Sequence, residues 1–222
     1  MNSLRLGKIS GKIKENDRRD FMCGRYYVDD ETASEIEKLV RQIGEGRRTE
    51  SLQAVSRITT GDIHPGKNAP ILSGKNGSIY CKWQHWGFPG FDGKKLIFNA
   101  RCESALEKPL FRDSVLHRRI VIPASWFYEW NPQKEKSTFF RKDMPILFMA
   151  GFCQQREDGE HFVILTTGAN ASVKPIHDRM PLILERQELM EWMLDDAKTP
   201  SFLRKTPCLL ERRTDYEQLS LF

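Results

Sequence analysis

At 222 residues with 39% hydrophobic side chains, the chain is long enough for one core and lacks the low-hydrophobicity, high-charge signature of disorder, so one domain is the default. Its 35 lysines and arginines against 30 acids leave a net +5, which suits a phosphate-bearing partner and an ordinary surface equally. No apolar stretch approaches the roughly 20 residues that cross a bilayer, and no secretory apolar core opens the chain, which sets aside membrane and exported classes and points to the cytoplasm.

Residues 1–21 are polar and basic (Arg5, Lys8, Lys12, Lys14, Arg18, Arg19) and read as an unstructured lead-in to a folded unit over 22–210. From Asp29 a helix is expected: Asp29 or Asp30 caps it, Ala33, Ile36, Leu39, Val40 and Ile43 recur near the helical period, and Gly44 and Gly46 end it. Residues 44–51 are a low-complexity stretch. Ile71-Leu72 and Ile79-Tyr80 flank Asn76-Gly77, a dipeptide that accepts positive φ at both turn centres and so predicts a hairpin. The same logic pairs 146–155 with 161–167 across Asp158-Gly159, while 82–88, 96–98, 120–122 and 127–130 read as short strands. Residues 100–107 and 187–194 suit short helices. Strands dominate, helices are peripheral and βαβ alternation is absent from the pattern, which predicts an α+β fold: mostly antiparallel β, with a barrel-like or folded sheet core. Residues 211–222 are left as a C-terminal tail.

The five cysteines, at 23, 81, 102, 153 and 208, form neither a CxxC pair nor a zinc spacing, and their odd number argues against a disulfide framework; neither metal nor cofactor is expected. Cys23 stands apart because it follows Met22. Removal of an initiator Met at that point would leave a free α-amine beside the thiol, with pKa values of about 7.7–8.0 and about 8.5, so that both are partly nucleophilic at neutral pH. The natural electrophile of such a 1,2-aminothiol is an aldehyde: the amine gives an imine and the thiol closes a thiazolidine. An isolated cysteine is more often a buried structural thiol, so the surrounding motifs decide.

Those motifs are Met22-Cys23-Gly24-Arg25-Tyr26, Asn99-Ala100-Arg101-Cys102-Glu103, the run from Ile122 to Trp130 containing Glu129, and His177-Asp178-Arg179-Met180-Pro181, with Ile63-His64-Pro65-Gly66 and Trp86-Gly87-Phe88 in the same order. Together, over Met22 to about Leu194, they resemble the SOS response-associated peptidase family. The resemblance implies removal of the protein's own preceding residues, then covalent capture by the exposed cysteine of the ring-opened sugar aldehyde of abasic sites in single-stranded DNA.

Carried over residue by residue, the resemblance implies that Cys23 is the nucleophile, that Asn99 holds its α-amine, that Glu129 is the acid–base carboxylate, and that His177 assists imine formation and reversal. The aromatics at 126, 127, 128 and 130 are expected to desolvate Glu129. Arg25 and Arg101 match arginines that contact phosphates beside the lesion; Arg179 either joins them or pairs internally with Asp178 or Glu103. Trp86, Phe88, Pro89 and Phe91 lie where the family inserts a wedge against the flanking base, although its frequent tryptophan pair is Phe91-Asp92 here. The resemblance also implies expression and nucleoid association on DNA damage.

The 21 residues before Met22 are a second departure, because an amide nitrogen forms no imine. Either the start codon is Met22, the reading preferred here, or the lead-in is cut off, or this copy has lost the thiazolidine chemistry. The terminal Gln218-Leu219-Ser220-Leu221-Phe222 resembles the pentapeptide by which bacterial repair proteins dock on the sliding clamp, with Gln218, Leu219, Leu221 and Phe222 as contacts; a last strand packed on the core is the other reading. Two other functions remain open at this stage: a general cysteine peptidase using Cys23, His177 and Asn99, and a non-catalytic single-strand-binding module.

Overall fold

The computed structural model describes residues 24–42, 48–90, 93 and 95–214; the lead-in, Met22, Cys23, the helix end expected at Ile43, Gly44 and Gly46, Phe91, Asp92 and the tail from 215 onward lie outside the described residues. In chain order the strands are β1 (Tyr26–Val28), β2 (Gly61–Ile63), β3 (Asn68–Lys75), β4 (Ser78–Trp86), β5 (Phe88–Pro89), β6 (Leu96–Ile97), β7 (Asn99–Arg101), β8 (Arg119–Ala124), β9 (Trp126–Trp130), β10 (Lys136–Phe140), β11 (Leu147–Arg156), β12 (Gly159–Gly168), β13 (Arg179–Pro181), β14 (Ile183–Leu184) and β15 (Glu211–Thr214). The α-helices are α1 (Asp30–Gln42), α2 (Arg48–Val55), α3 (Cys102–Ala105), α4 (Pro109–His117), α5 (Leu189–Leu194) and α6 (Thr199–Leu203).

The fold is α+β and mostly antiparallel, as the sequence suggests. β12, β4, β3, β8 and β11 pair in turn, and β11 pairs back onto β12, so these strands close a small barrel. A five-stranded sheet in the order β15-β10-β9-β1-β2 lies against it. β8, most of β11 and the middle of β12 are buried on both faces. Ile120, Ile122, Leu147, Met149, Phe162 and Ile164 belong to one apolar cluster, while Val121, Phe148, Ala150, Phe152, Val163 and Leu165, interleaved with them, belong to a second beneath the helices. Two-sided burial explains why β8 and β11 read as unbroken apolar runs rather than alternating ones.

Local chemistry accounts for several elements. Asp29 Oδ1 accepts from the Thr32 amide at 2.8 Å and caps α1, whose Ile36, Leu39 and Val40 are buried. Asn76 (φ 50) and Gly77 (φ 74) make the turn between β3 and β4. The β11–β12 register pairs Arg156 with Gly159, one residue earlier than the expected turn.

Other expectations are corrected. The segment 82–88 is not one strand, because Gly87 (φ 91) breaks it, and a Cβ there would lie 2.9 Å from Leu96 Cγ and 3.1 Å from the Ile97 carbonyl. Of the helix expected over 100–107, Cys102–Ala105 forms as α3, but Ala100 and Arg101 are strand, since β7 pairs in parallel with β12, Ile164 opposite Asn99 and Thr166 opposite Arg101. The fold therefore contains parallel pairs, also between β12 and β4. The stretch read as low complexity contains the start of α2, and the segment read as a free tail begins with β15, paired to β10.

Candidate functional site

β1 carries the chain away from Cys23, and its pairing fixes where that end sits. Tyr26 opposes Phe127 and Tyr27 opposes Trp126, and the Tyr128 amide donates to the Arg25 carbonyl at 3.1 Å. Carried one residue past that bond, the same register brings Gly24 level with Glu129. A Cβ built on Gly24 would lie 4.0 Å from Phe98, the residue before Asn99. The residue next to Cys23 is thus bracketed by the strand of Glu129 on one side and the approach to Asn99 on the other.

Each bracket is firmly held. The Phe98 carbonyl accepts from Trp86 Nε1 at 2.9 Å and from the Ile164 amide at 3.1 Å, fixing the entry to β7. Tyr26 is fully buried with its ring 5.1 Å from that of Trp86. Glu129 is 1% exposed, one residue before the end of β9, with Ser137 opposite. Strand alternation puts it on the inner face with Phe127, while Trp126, Tyr128 and Trp130 point outward. The expectation that all four aromatics surround the carboxylate is therefore corrected: Phe127 alone of them shares its face.

His177 follows a tight turn in which its amide donates to the Val173 carbonyl at 3.1 Å. Its Nδ1 accepts from the Arg179 amide at 3.1 Å, which leaves Nε2 as the proton-bearing nitrogen of the neutral ring. The Asp178 carboxylate, 3.2 Å from the same Nδ1, engages it only when the ring is protonated. This turn joins β13 beside the end of β12, where Gly168 opposes Arg179.

Among the arginines, Arg25 lies over the Trp130 ring at 5.4 Å and 3.7 Å from Asp62, with its side chain partly exposed. Arg101 is exposed at the end of β7. Arg179 is engaged: its guanidinium binds both carboxylate oxygens of Glu103, one at 2.8 Å, and the Thr166 carbonyl at 2.6 Å. That ion pair holds the Glu103 carboxyl below its ordinary range. Of the two readings of Arg179, the geometry contains the internal pair with Glu103.

Trp86 and Phe88 were expected to meet bases, and both are 0% exposed. Trp86 packs between Tyr26, Phe98 and Phe162, and Phe88 against Phe111, so neither offers a face to a base and both are core residues. Pro89 is exposed. Sequence reasoning missed the outward pair Tyr27–Trp126, whose rings stack at 4.3 Å and 5°; strand alternation along β9 was the available signal.

The four cysteines among the described residues are poor nucleophiles. Burial pushes the Cys81 and Cys102 thiols up to about 12, and it raises Cys153 and Cys208 as well. Among the described residues, no group of three or more His, Cys, Asp or Glu side chains could hold a metal, and no helix is long and apolar enough to cross a membrane.

A family model described as SOS response associated peptidase (SRAP) matches residues 22–219. The abasic site processing protein YedK of Escherichia coli K12 is 25% identical over 209 residues, covering 90% of this chain and 92% of its own. The abasic site processing protein YoqW of Bacillus subtilis 168 is 29% identical over 204 residues, covering 82% and 85%. Among solved structures, a Bacteroides thetaiotaomicron protein superposes with a TM-score of 0.68 at 24% identity, covering 86% of this chain and 91% of that one, and supports the fold alone.

Proposed function

The chain belongs to the SOS response associated peptidase family, and from that premise we propose that it processes abasic sites in single-stranded DNA by forming a thiazolidine with Cys23. The observation that carries this reading is the β1–β9 register, which, continued past Arg25, brings Gly24 level with the buried Glu129, while the ring of Phe98, the residue before Asn99, lies on its other side. The names of the relatives support the substrate class.

The chemistry balances in three steps. Water first cleaves the Met22–Cys23 amide, freeing the α-amine. The amine then adds to the lesion aldehyde, water leaves and an imine forms. Finally the thiolate adds to the imine carbon while nitrogen takes up a proton, closing the ring. Asn99 orients the amine through its side-chain amide; Glu129 and His177 move protons, the first in a buried site and the second through Nε2. Arg25 and Arg101 bind flanking phosphates, and Arg179 would do so only by leaving Glu103. Pro89 and Phe91 remain candidates for contact with the flanking base. Docking of Gln218, Leu219, Leu221 and Phe222 on a sliding clamp, and nucleoid association, rest on the sequence resemblance.

Protein beginning at Cys23, mixed with single-stranded DNA carrying an abasic site, should give a covalent band on a denaturing gel. Prior reduction of the aldehyde, or Cys23→Ala, should abolish it. A band of equal intensity from protein whose intact mass retains Met22 would sink the thiazolidine mechanism.

A further inference from the structure

The outer face of the five-stranded sheet carries more than the site needs. Across β1, β9, β10 and β15 the register aligns Arg25, Tyr128, Thr138 and Arg213 in one row, with Trp130 and Lys136 on one side of it and Tyr27, Trp126 and Phe140 on the other. Cations alternate with rings: Arg25 sits 5.4 Å over Trp130 and Lys136 5.2 Å over Tyr128. Tyr27 covers one face of Trp126, and Trp126 also lines a surface hollow with Thr138, Phe140 and Arg213. Along β9 the outward rings run from Trp130, one residue beyond Glu129, to Trp126 four residues away, a span of roughly 13 Å.

Stacking rings interleaved with cations are the recognition chemistry of unpaired nucleic-acid strands. Asp29 and Glu31 line the hollow together with Arg213 and an Arg141 already paired to Asp143 and Glu185, and with Asp62 and Glu211 in the Trp126 row the carboxylates disfavour a phosphate there. A neutral base suits it better, with the backbone following Arg25, Lys136 and Arg213. We infer that the Trp126 hollow is a second subsite that stacks an unpaired nucleobase of the same strand, at a distance from the lesion, and so sets how much flanking single strand the protein engages. This rests on the reading above that the partner is single-stranded DNA.

The test is a length series. Oligonucleotides carrying a stable, aldehyde-free abasic analogue, with zero to eight nucleotides on either side, are titrated by fluorescence anisotropy against wild-type protein, Trp126→Ala and Trp126→Phe. The ratio of Kd between Trp126→Ala and wild type should climb with flank length on one side alone, reaching roughly 5- to 150-fold, the equivalent of ~1–3 kcal/mol for one stacked base. Trp126→Phe, which keeps a stacking ring, should recover most of the loss, and its melting temperature guards against a folding defect. A ratio that stays flat with length, or that climbs equally on both sides, overturns the subsite. Failure of the proposed function shows differently: wild-type protein beginning at Cys23 would give no covalent band with the true aldehyde, whatever the length series returns.

Discussion

Replacing Glu129 with Gln tests the assignment of proton transfer to a single side chain. The change keeps shape and volume but removes the group's ability to lose and regain a proton. Glu129 is 1% exposed on the inner face of β9, with Ser137 of β10 opposite it and the chain leading into β1 on its other side. An isosteric swap there costs less than about 1.5 kcal/mol in packing, a shift of a few degrees in Tm for a chain of this size. Loss of general acid–base catalysis costs far more, about 10²- to 10⁴-fold in rate, or about 2.7–5.4 kcal/mol in barrier. The assay mixes protein beginning at Cys23 with excess abasic single-stranded DNA, quenches at intervals and reads adduct on a denaturing gel. A Gln variant that melts within a few degrees of wild type yet reacts 100-fold or more slowly is the expected result. Adduct formation within threefold of wild type would refute the role given to Glu129.

Arg119 is 1% exposed in its side chain and donates to the Trp192 and Leu116 carbonyls and, at 2.6 Å, to the half-exposed Asp196, so Arg119→Met, which leaves those carbonyls unpaired, should cost about 1–3 kcal/mol in urea unfolding; a loss well under 1 kcal/mol would contradict this. Acid should weaken the fold in a defined window. Arg179 lowers Glu103, His161 lowers Asp158 and Arg119 lowers Asp196, so the native state binds fewer protons than the unfolded one; that stability is present above the ordinary carboxylate range near pH 4 and is lost as pH falls through the lower native values. Glu103→Gln should flatten the fall in denaturation midpoint between pH 5 and 3 on this argument, and an unchanged slope would count against it. In native protein, timed alkylation read by mass spectrometry should label Cys23 well before Cys81 and Cys102, whose thiols titrate near 12; comparable labelling of Cys102 would show that β7 and α3 open readily.

The elements legible in the sequence are those whose cause is local. Asn76-Gly77 dictates its own turn, and Asp29 with Ile36, Leu39 and Val40 dictates α1. β7 was not legible, since Asn99–Arg101 is extended because Ile164 to Thr166 pair with it from more than sixty residues away. The closure of the barrel and its parallel pairs are likewise decided by distant partners. In the candidate site, residue types and order were legible, whereas the faces they occupy were less so. Alternation along β9 separates Glu129 from Trp126 and Trp130, but nothing local in Trp86-Gly87-Phe88 says that both rings turn inward. Nor could spacing choose between phosphate and Glu103 as the partner of Arg179; the fold had to bring β13 and α3 together first.

The way the β3–β4 hairpin is built into the barrel has a consequence for the site. Its own strands share eight residue pairs, yet it is sewn to the rest of the ring by two pairs to β8 and two to β12. Backbone bonding alone would leave it a loosely hinged leaf. What seats it is side-chain fit, above all Trp86 wedged between Tyr26 and Phe162 and tied to the Phe98 carbonyl. Trp86 is thus a mechanical pin: it need never touch a base to govern where Asn99 stands relative to Glu129, and trimming it would blur the alignment of the chemistry from beneath.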